Sequence, residues 1–253
     1  MLHPTQRFSS RVENYVRHRP GYPREIVDLL RDDCGLTKDS VIADIGSGTG
    51  KLTELFLKNG NHVFGVEPNR EMRAAGERLL KDFPRFTSID GTAETTTLPD
   101  RSVDFIVAGQ AFHWFDLEKC RAEFLRVLKP GGWVAIIWND RQVDTTPFLA
   151  AYEELLRKFS TDYERINHRR FNDGIAVRNF FRCEPRLKDF PNAQRFDFEG
   201  LKGRLLSSSY APEAGRPKHE EMLAVLKRIF DAHQQGGSVV FKYDTHVHYG
   251  KLA

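Results

Sequence analysis

This 253-residue sequence has few cysteines, little net charge and no long apolar run. The three cysteines, Cys34, Cys120 and Cys183, are far apart and form no Cys-x-x-Cys pair. That spacing argues against a disulfide framework or a zinc site and fits a reducing compartment; no metal ligand set is expected. Formal net charge is +3, from 38 basic and 35 acidic residues, an excess too small to point to nucleic acid by itself. No stretch approaches the ~20 apolar residues of a membrane span. The opening "MLHPTQRFSSRVENYVRHRP" lacks the apolar core of a secretory signal. The expected location is the cytoplasm, with no membrane partner. Internal repeats, low-complexity tracts and linkers are also missing, so residues 1–253 are expected to form a single domain.

What is present is an ordinary globular composition, 40% hydrophobic and 29% charged, in a chain long enough for a sizeable core. Five short apolar runs, at 40–45, 62–67, 85–90, 102–109 and 132–138, read as strands buried on both faces. The segments between them read as helices. "GKLTELFLKNG" carries Leu52, Leu55 and Phe56 at helical spacing and ends at Gly60. "NREMRAAGERLLKDFP" starts at a candidate cap, Asn69, and stops before Pro84. "DLEKCRAEFLRVLKPGG" starts at Asp116 and is closed by Pro130 and two glycines. Alternating strand and helix predicts an α/β fold with a doubly wound, mostly parallel sheet.

Residues 1–39 precede this pattern, with helices expected near 8–17 and 23–33. After the core at 40–139, residues 140–253 hold two helical stretches (146–160 and 218–233) and a late strand, "SVVFKYDTHVHYG", entered through the Gly236–Gly237 turn. The region around 160–186 has no clear assignment.

The stretch "VIADIGSGTGKLTELF" looks like a phosphate cradle. A P-loop fails twice: Ile45 occupies the place of its first glycine, and Leu52, not a hydroxyl residue, follows Lys51. A dinucleotide fingerprint matches Gly46 and Gly48, but its third glycine falls on Lys51, with Gly50 one residue early. Asp44 would also repel a pyrophosphate, by roughly 4 kcal/mol per charge pair at about 4 Å and an effective dielectric of about 20. S-adenosylmethionine has no phosphate; its methionine end carries an ammonium and a carboxylate. An acidic strand end, close-approach glycines and a helix N-terminus suit that ligand. Glu67 ends the second strand, 67 − 46 = 21 residues past the first loop glycine, where a carboxylate can take both ribose hydroxyls. NAD proteins share that feature, and a solvated strand end is the alternative.

With "VIADIGSGTG", "GVEPN", "IDGTAE", "SVDFIVAGQAFHWF" and "FLRVLKPGGWVAIIW" together, the sequence resembles class I S-adenosylmethionine-dependent methyltransferases. "YVRHRPGYP", "LLSSSYAP" and "VVFKYDTHVHYGKL" are similar to the small-molecule group that includes trans-aconitate methyltransferases. The resemblance implies a Rossmann-like, seven-stranded sheet with an N-terminal helical lid and a helical insertion after the fifth strand. It implies S-adenosyl-L-methionine as cofactor. Asp44, Gly46, Ser47, Gly48 and Gly50 would line the methionine end and Glu67 would take the ribose. Pro68, Asn69 and Met72 would flank the adenine, Ala93 and Glu94 would lie at its edge, and Gln110 would close the pocket.

Methyl transfer is an in-line displacement, so the protein mainly aligns the acceptor and excludes water. A general base is needed only if the acceptor must lose a proton; a carboxylate need not. His113 is the candidate base and, with Trp114, lies where open sheets bind ligands; local hydrogen bonding and packing are the alternative roles. Tyr15, Arg19 and Tyr22 are candidate lid or substrate residues, Arg19 for an acidic group. The expected function is methyl transfer to a small molecule, with a carboxylate acceptor in view. RNA methylation, or cofactor binding without catalysis, is the alternative. "AGQAFHW" lacks the Asn/Asp-Pro-Pro-aromatic run of base amino-methyltransferases, and the basic cluster at 164–170 reads as a solvated helix face. The expected partner is a small molecule, with no nucleic acid; oligomeric state is not readable.

Overall fold

The computed structural model describes residues 12–160, 174–208, 210–212, 215–216 and 218–253. The basic cluster at 164–170 and the start of the helix expected near 8–17 lie outside the described residues.

The sheet has seven strands: β1 (Val41–Ile45), β2 (His62–Val66), β3 (Phe86–Ile89), β4 (Val103–Gly109), β5 (Leu128–Arg141), β6 (Arg186–Phe196) and β7 (Val239–Gly250). Their order is β3-β2-β1-β4-β5-β7-β6. The first five run parallel, and β7 pairs antiparallel with both β5 and β6. The order reverses between β1 and β4, so the carboxyl ends of those strands open on the crevice where such sheets hold ligands.

Helices α1 (Val12–His18), α2 (Glu25–Cys34), α3 (Lys51–Asn59), α4 (Arg70–Leu80), α5 (Leu117–Val127), α6 (Pro147–Phe159), α7 (Ile175–Phe181), α8 (Phe198–Leu206) and α9 (His219–His233) complete the described chain. Their ends follow local chemistry. Asn69 Oδ1 accepts from Met72 N at 2.9 Å, Thr146 Oγ1 accepts from Leu149 N at 3.2 Å, and Pro147 starts α6. Asp197 caps α8 through Gly200 N at 2.8 Å.

Two apolar clusters flank the sheet. One joins Ile106, Phe112, Phe124, Trp138 and Phe180; the other joins Ile26, Leu30, Phe56, Phe105 and Ile137. A third cluster packs α6, α8 and α9 around Phe241 and Tyr243 of β7. The leading segment therefore divides: α2 buries Ile26, Val27 and Leu30 in the core, whereas α1 buries no residue and lies over the crevice side.

Three features depart from the sequence expectation. The fifth strand begins at Leu128 rather than 132, taking the Lys-Pro-Gly-Gly turn into the strand as α5 ends at Val127. The helices α7 and α8 occupy stretches that had no assignment. Strand β6 fills another; it is an edge strand that is mostly exposed and contains Pro191, a residue tolerated where one backbone edge faces solvent. No described helix is long and apolar enough to cross a membrane.

Candidate functional site

The glycine turn leaves the end of β1 and enters α3. Gly46, Gly48 and Gly50 all have positive φ (70°, 59° and 84°), which a side chain would strain. A Cβ at Gly46 would also collide with Ala111. Gly46 N and Ser47 N donate to Val66 O, and Gly50 N donates to Ser47 O, so the turn is tied to β2 and to itself.

Asp44 stands just before this turn and is 1% exposed. Its Oδ2 accepts from Thr53 Oγ1 at 2.6 Å, and its buried Oδ1 has no hydrogen-bond partner. Burial pushes the Asp44 carboxyl up to about 7, against the opposing Thr53 bonds. An unpartnered, buried carboxylate oxygen facing a cavity matches a cationic ligand group.

Glu67 follows β2 and is also buried. Its Oε2 accepts from Gly48 N and its Oε1 from Asn69 N, each at 2.8 Å. Burial raises its carboxyl, while the two backbone donors oppose that rise. A carboxylate offers about four lone-pair sites, so two backbone bonds leave capacity for a diol.

One cavity lies at the carboxyl ends of β1, β4 and β5. Its lining brings together Asp44, Gly46, Ser47, Gly48 and Gln110 with Tyr15, Arg19, Tyr22, His113 and Trp114. Gly50, Glu67, Pro68, Asn69, Met72, Ala93 and Glu94 are not in this lining. Several of these have visible structural partners: Gly50 abuts Leu80, Asn69 caps α4, Met72 packs near Gly48, and Glu94 Oε1 accepts from Asp116 N at 2.9 Å. Gln110 has positive φ (57°) and donates Nε2 to Asn139 O at 2.9 Å. The His113 and Trp114 rings sit 4.5 Å apart in a short 3-10 turn.

The end of α1 and the segment after it border the cavity through specific contacts. The Tyr22 hydroxyl sits against Gly109, leaving no room there for a side chain. Lys51 does start α3, but its Nζ also donates to Val16 O at 2.9 Å. Asn139 and Asn192 both donate to Gly21 O, at 3.1 and 2.9 Å. The His18 ring occupies the space a Cβ at Gly203 would need, which brings Arg19 beside α8; Arg19 Nη2 donates to Ser207 O at 3.1 Å.

The lining also includes residues the sequence reading missed: Asn139, Asp140 and Arg141 at the end of β5, Arg204 on α8, and Tyr210 and Tyr243. "WNDR" directly follows an apolar strand, so its position at a parallel strand's carboxyl end was a usable signal. Arg204 had none, since only the docking of α8 on β7 brings it to the site. Arg141, partly buried, pairs with the buried Glu153 of α6.

Residues 43–136 match the family model for a methyltransferase domain. An uncharacterized methyltransferase-like protein of Schizosaccharomyces pombe is 34% identical over 88% of this chain and 86% of its own length. Among solved structures, a protein assigned as a type II methyltransferase from Anaeromyxobacter dehalogenans shares the fold with a TM-score of 0.67 at 22% identity, over 92% of this chain and 98% of that one. A Haemonchus contortus phosphoethanolamine N-methyltransferase, solved with S-adenosylhomocysteine and phosphomonomethylethanolamine, gives a TM-score of 0.53 at 14% identity, over 98% of this chain and 58% of that one.

Proposed function

This chain belongs to the S-adenosylmethionine-dependent methyltransferases, and on that premise we propose that its acceptor is a small molecule carrying a carboxylate. The observation that carries the reading is the lining of the cavity. The glycine turn and the open Asp44 oxygen line it together with Tyr15, Arg19 and Tyr22 of the leading segment. A crevice lined in part by the chain's own leading segment suits a small acceptor better than a polymer.

The cofactor fits the residues present. Asp44 Oδ1 is an unpaired acceptor for the methionine ammonium, and the glycine turn admits the methionine backbone closely. Glu67, already oriented by Gly48 N and Asn69 N, would take the ribose, and Pro68, Asn69, Met72, Ala93 and Glu94 would border the adenine. When bound, S-adenosylmethionine supplies a methyl group activated by its sulfonium. The protein's share is alignment and exclusion of water, with Tyr22, His113 and Trp114 shaping the chamber. A carboxylate is ionised at neutral pH and needs no base, so His113 is assigned a shaping role.

Calorimetry with S-adenosylhomocysteine and with NAD tests the cofactor reading. Binding of the first and not of the second is expected; the reverse would overturn it. Transfer of label from radiolabelled cofactor to RNA, with none to small acids, would overturn the acceptor reading.

A further inference from the structure

The turn after β2 is held by a cation outside the cavity lining. Arg73 lies one helical turn past the Asn69 cap of α4, and its backbone N donates to Asn69 O at 2.9 Å. Its Nη1 donates to Glu67 O at 2.7 Å and to Asp90 Oδ1 at 3.0 Å, and its Nη2 donates to Asp90 Oδ2 at 2.9 Å. Asp90 directly follows β3 and Glu67 directly follows β2. One guanidinium on α4 therefore ties together the carboxyl ends of two neighbouring strands.

These contacts leave the Glu67 peptide little freedom to turn. Glu67 N donates to Ile89 O at 3.0 Å, and Glu67 O accepts from Arg73, so β3 fixes one backbone group and α4 the other. The side chain is fixed as well, by Gly48 N at Oε2 and Asn69 N at Oε1. A carboxylate that only ended a strand in solvent would need no such bracing.

The atoms that Arg73 chooses point the same way. Its side-chain hydrogen bonds go to Glu67 O and to Asp90, not to the Glu67 carboxylate. A guanidinium fork on that carboxylate would occupy both its oxygens and compete with a ligand diol. Bonded to the carbonyl instead, Arg73 brings its charge close and leaves the remaining lone pairs open. Burial raises the Glu67 carboxyl, and the two backbone donors and the Arg73 charge oppose that rise. The fork to Asp90 fixes the plane of the guanidinium. The Asp90 side chain is 72% exposed, so this ion pair adds little stability, and its contribution is one of direction.

We infer that Arg73, aligned by Asp90, is a positioning residue for cofactor binding: by holding Glu67 O it aims the Glu67 carboxylate at the ribose hydroxyls. The inference rests on the cofactor reading above and adds the pair that orients its ribose acceptor.

The test is calorimetry with S-adenosylhomocysteine and with an analogue of it that lacks both ribose hydroxyls. Wild type is compared with Arg73→Met, Arg73→Lys, Asp90→Asn and Glu67→Gln, and with Arg73→Met combined with Glu67→Gln. Arg73→Met should weaken S-adenosylhomocysteine about tenfold, as for a lost charge-assisted hydrogen bond, and leave the affinity for the analogue unchanged. Arg73→Lys should recover part of the loss, because an ammonium reaches the carbonyl but makes no fork. With glutamine at position 67, Arg73→Met should have almost no further effect, since the two residues act as one unit. Asp90→Asn changes an exposed residue and keeps the inference testable if Arg73→Met does not fold; it should weaken S-adenosylhomocysteine about threefold, again without affecting the analogue. Equal weakening of both ligands would mean a merely structural role and would overturn the inference. Unchanged affinity in Arg73→Met, or a full further loss when it is combined with Glu67→Gln, would overturn it too; each of these results leaves the ribose role of Glu67 standing. Wild-type affinity for S-adenosylhomocysteine in Glu67→Gln, or equal binding of the two ligands by wild type, would overturn the ribose role and the inference with it.

Discussion

Asp44 carries the sharpest electrostatic consequence at the scale of single residues. Its carboxyl is raised to about 7 by burial in the ligand-free protein, so near neutral pH only part of the population is ionised. A ligand ammonium at Oδ1 favours the ionised form. Affinity for S-adenosylhomocysteine should therefore be level above pH 7 and fall toward tenfold per pH unit below it. Asp44→Asn should weaken binding and flatten that profile, as calorimetry at several pH values would show. The same raised value acts on the fold with the opposite sign. Its stabilising contribution is complete below the unfolded carboxylate range and is lost as pH rises through 7. Glu67 gives a second check. Replacing it with alanine removes a candidate ribose partner and leaves Gly48 N and Asn69 N without their acceptor. Cofactor affinity should drop by about 1–3 kcal/mol; unchanged affinity in a folded variant would contradict the ribose role.

At the scale of elements, α1 and the residues after it depend on a few docking points. The tightest is His18 against Gly203, because any side chain at 203 takes the ring's place. Gly203→Leu should lift this segment while sparing the sheet. Amide exchange over residues 12–22 should quicken by about tenfold or more with β1 to β5 unchanged, since a lid opens locally at low cost. Equal exchange in both proteins would mean that the segment is held elsewhere. The elements also divide by how far the sequence revealed them. Strands β1, β4 and the latter part of β5 are buried on both faces and stand out as runs such as "SVDFIVAG". Asn69 and Asp116 marked the starts of α4 and α5 through their capping chemistry. Strand β6 did not stand out, because an exposed edge strand rich in polar residues has almost no apolar signal and its partner β7 lies more than forty residues away in sequence. Arg204 was hidden for the same reason: its helix makes sense only once packed against β7. The glycine turn, by contrast, is local, and its register, with Leu52 after Lys51 and Asp44 before the turn, argued against a P-loop and a dinucleotide fingerprint.

At the scale of the whole molecule, the described chain is a mostly parallel sheet whose ligand crevice is covered by segments from before β1 and after β5. Arg141, partly buried, and Glu153, buried, link the end of β5 to α6 of the insertion in an ion pair. Removing the Glu153 carboxylate takes a counter-charge from Arg141 and from Arg157, so Glu153→Ala should cost roughly 3–5 kcal/mol of stability, measurable by denaturant unfolding. A loss below about 1 kcal/mol would show that solvent or other groups already screen the pair. This covering matters for function because it brings leading-segment and insertion residues, Tyr15, Arg19 and Arg204 among them, into one lining with Asp44. The most direct measurement is transfer of a radiolabelled methyl group from S-adenosylmethionine to a panel of small carboxylic acids, followed by mild alkali. Label that enters a carboxylic acid and is released by alkali as methanol is the result expected for a methyl ester. Label that is stable to alkali, or that appears only in RNA or protein, would contradict the account.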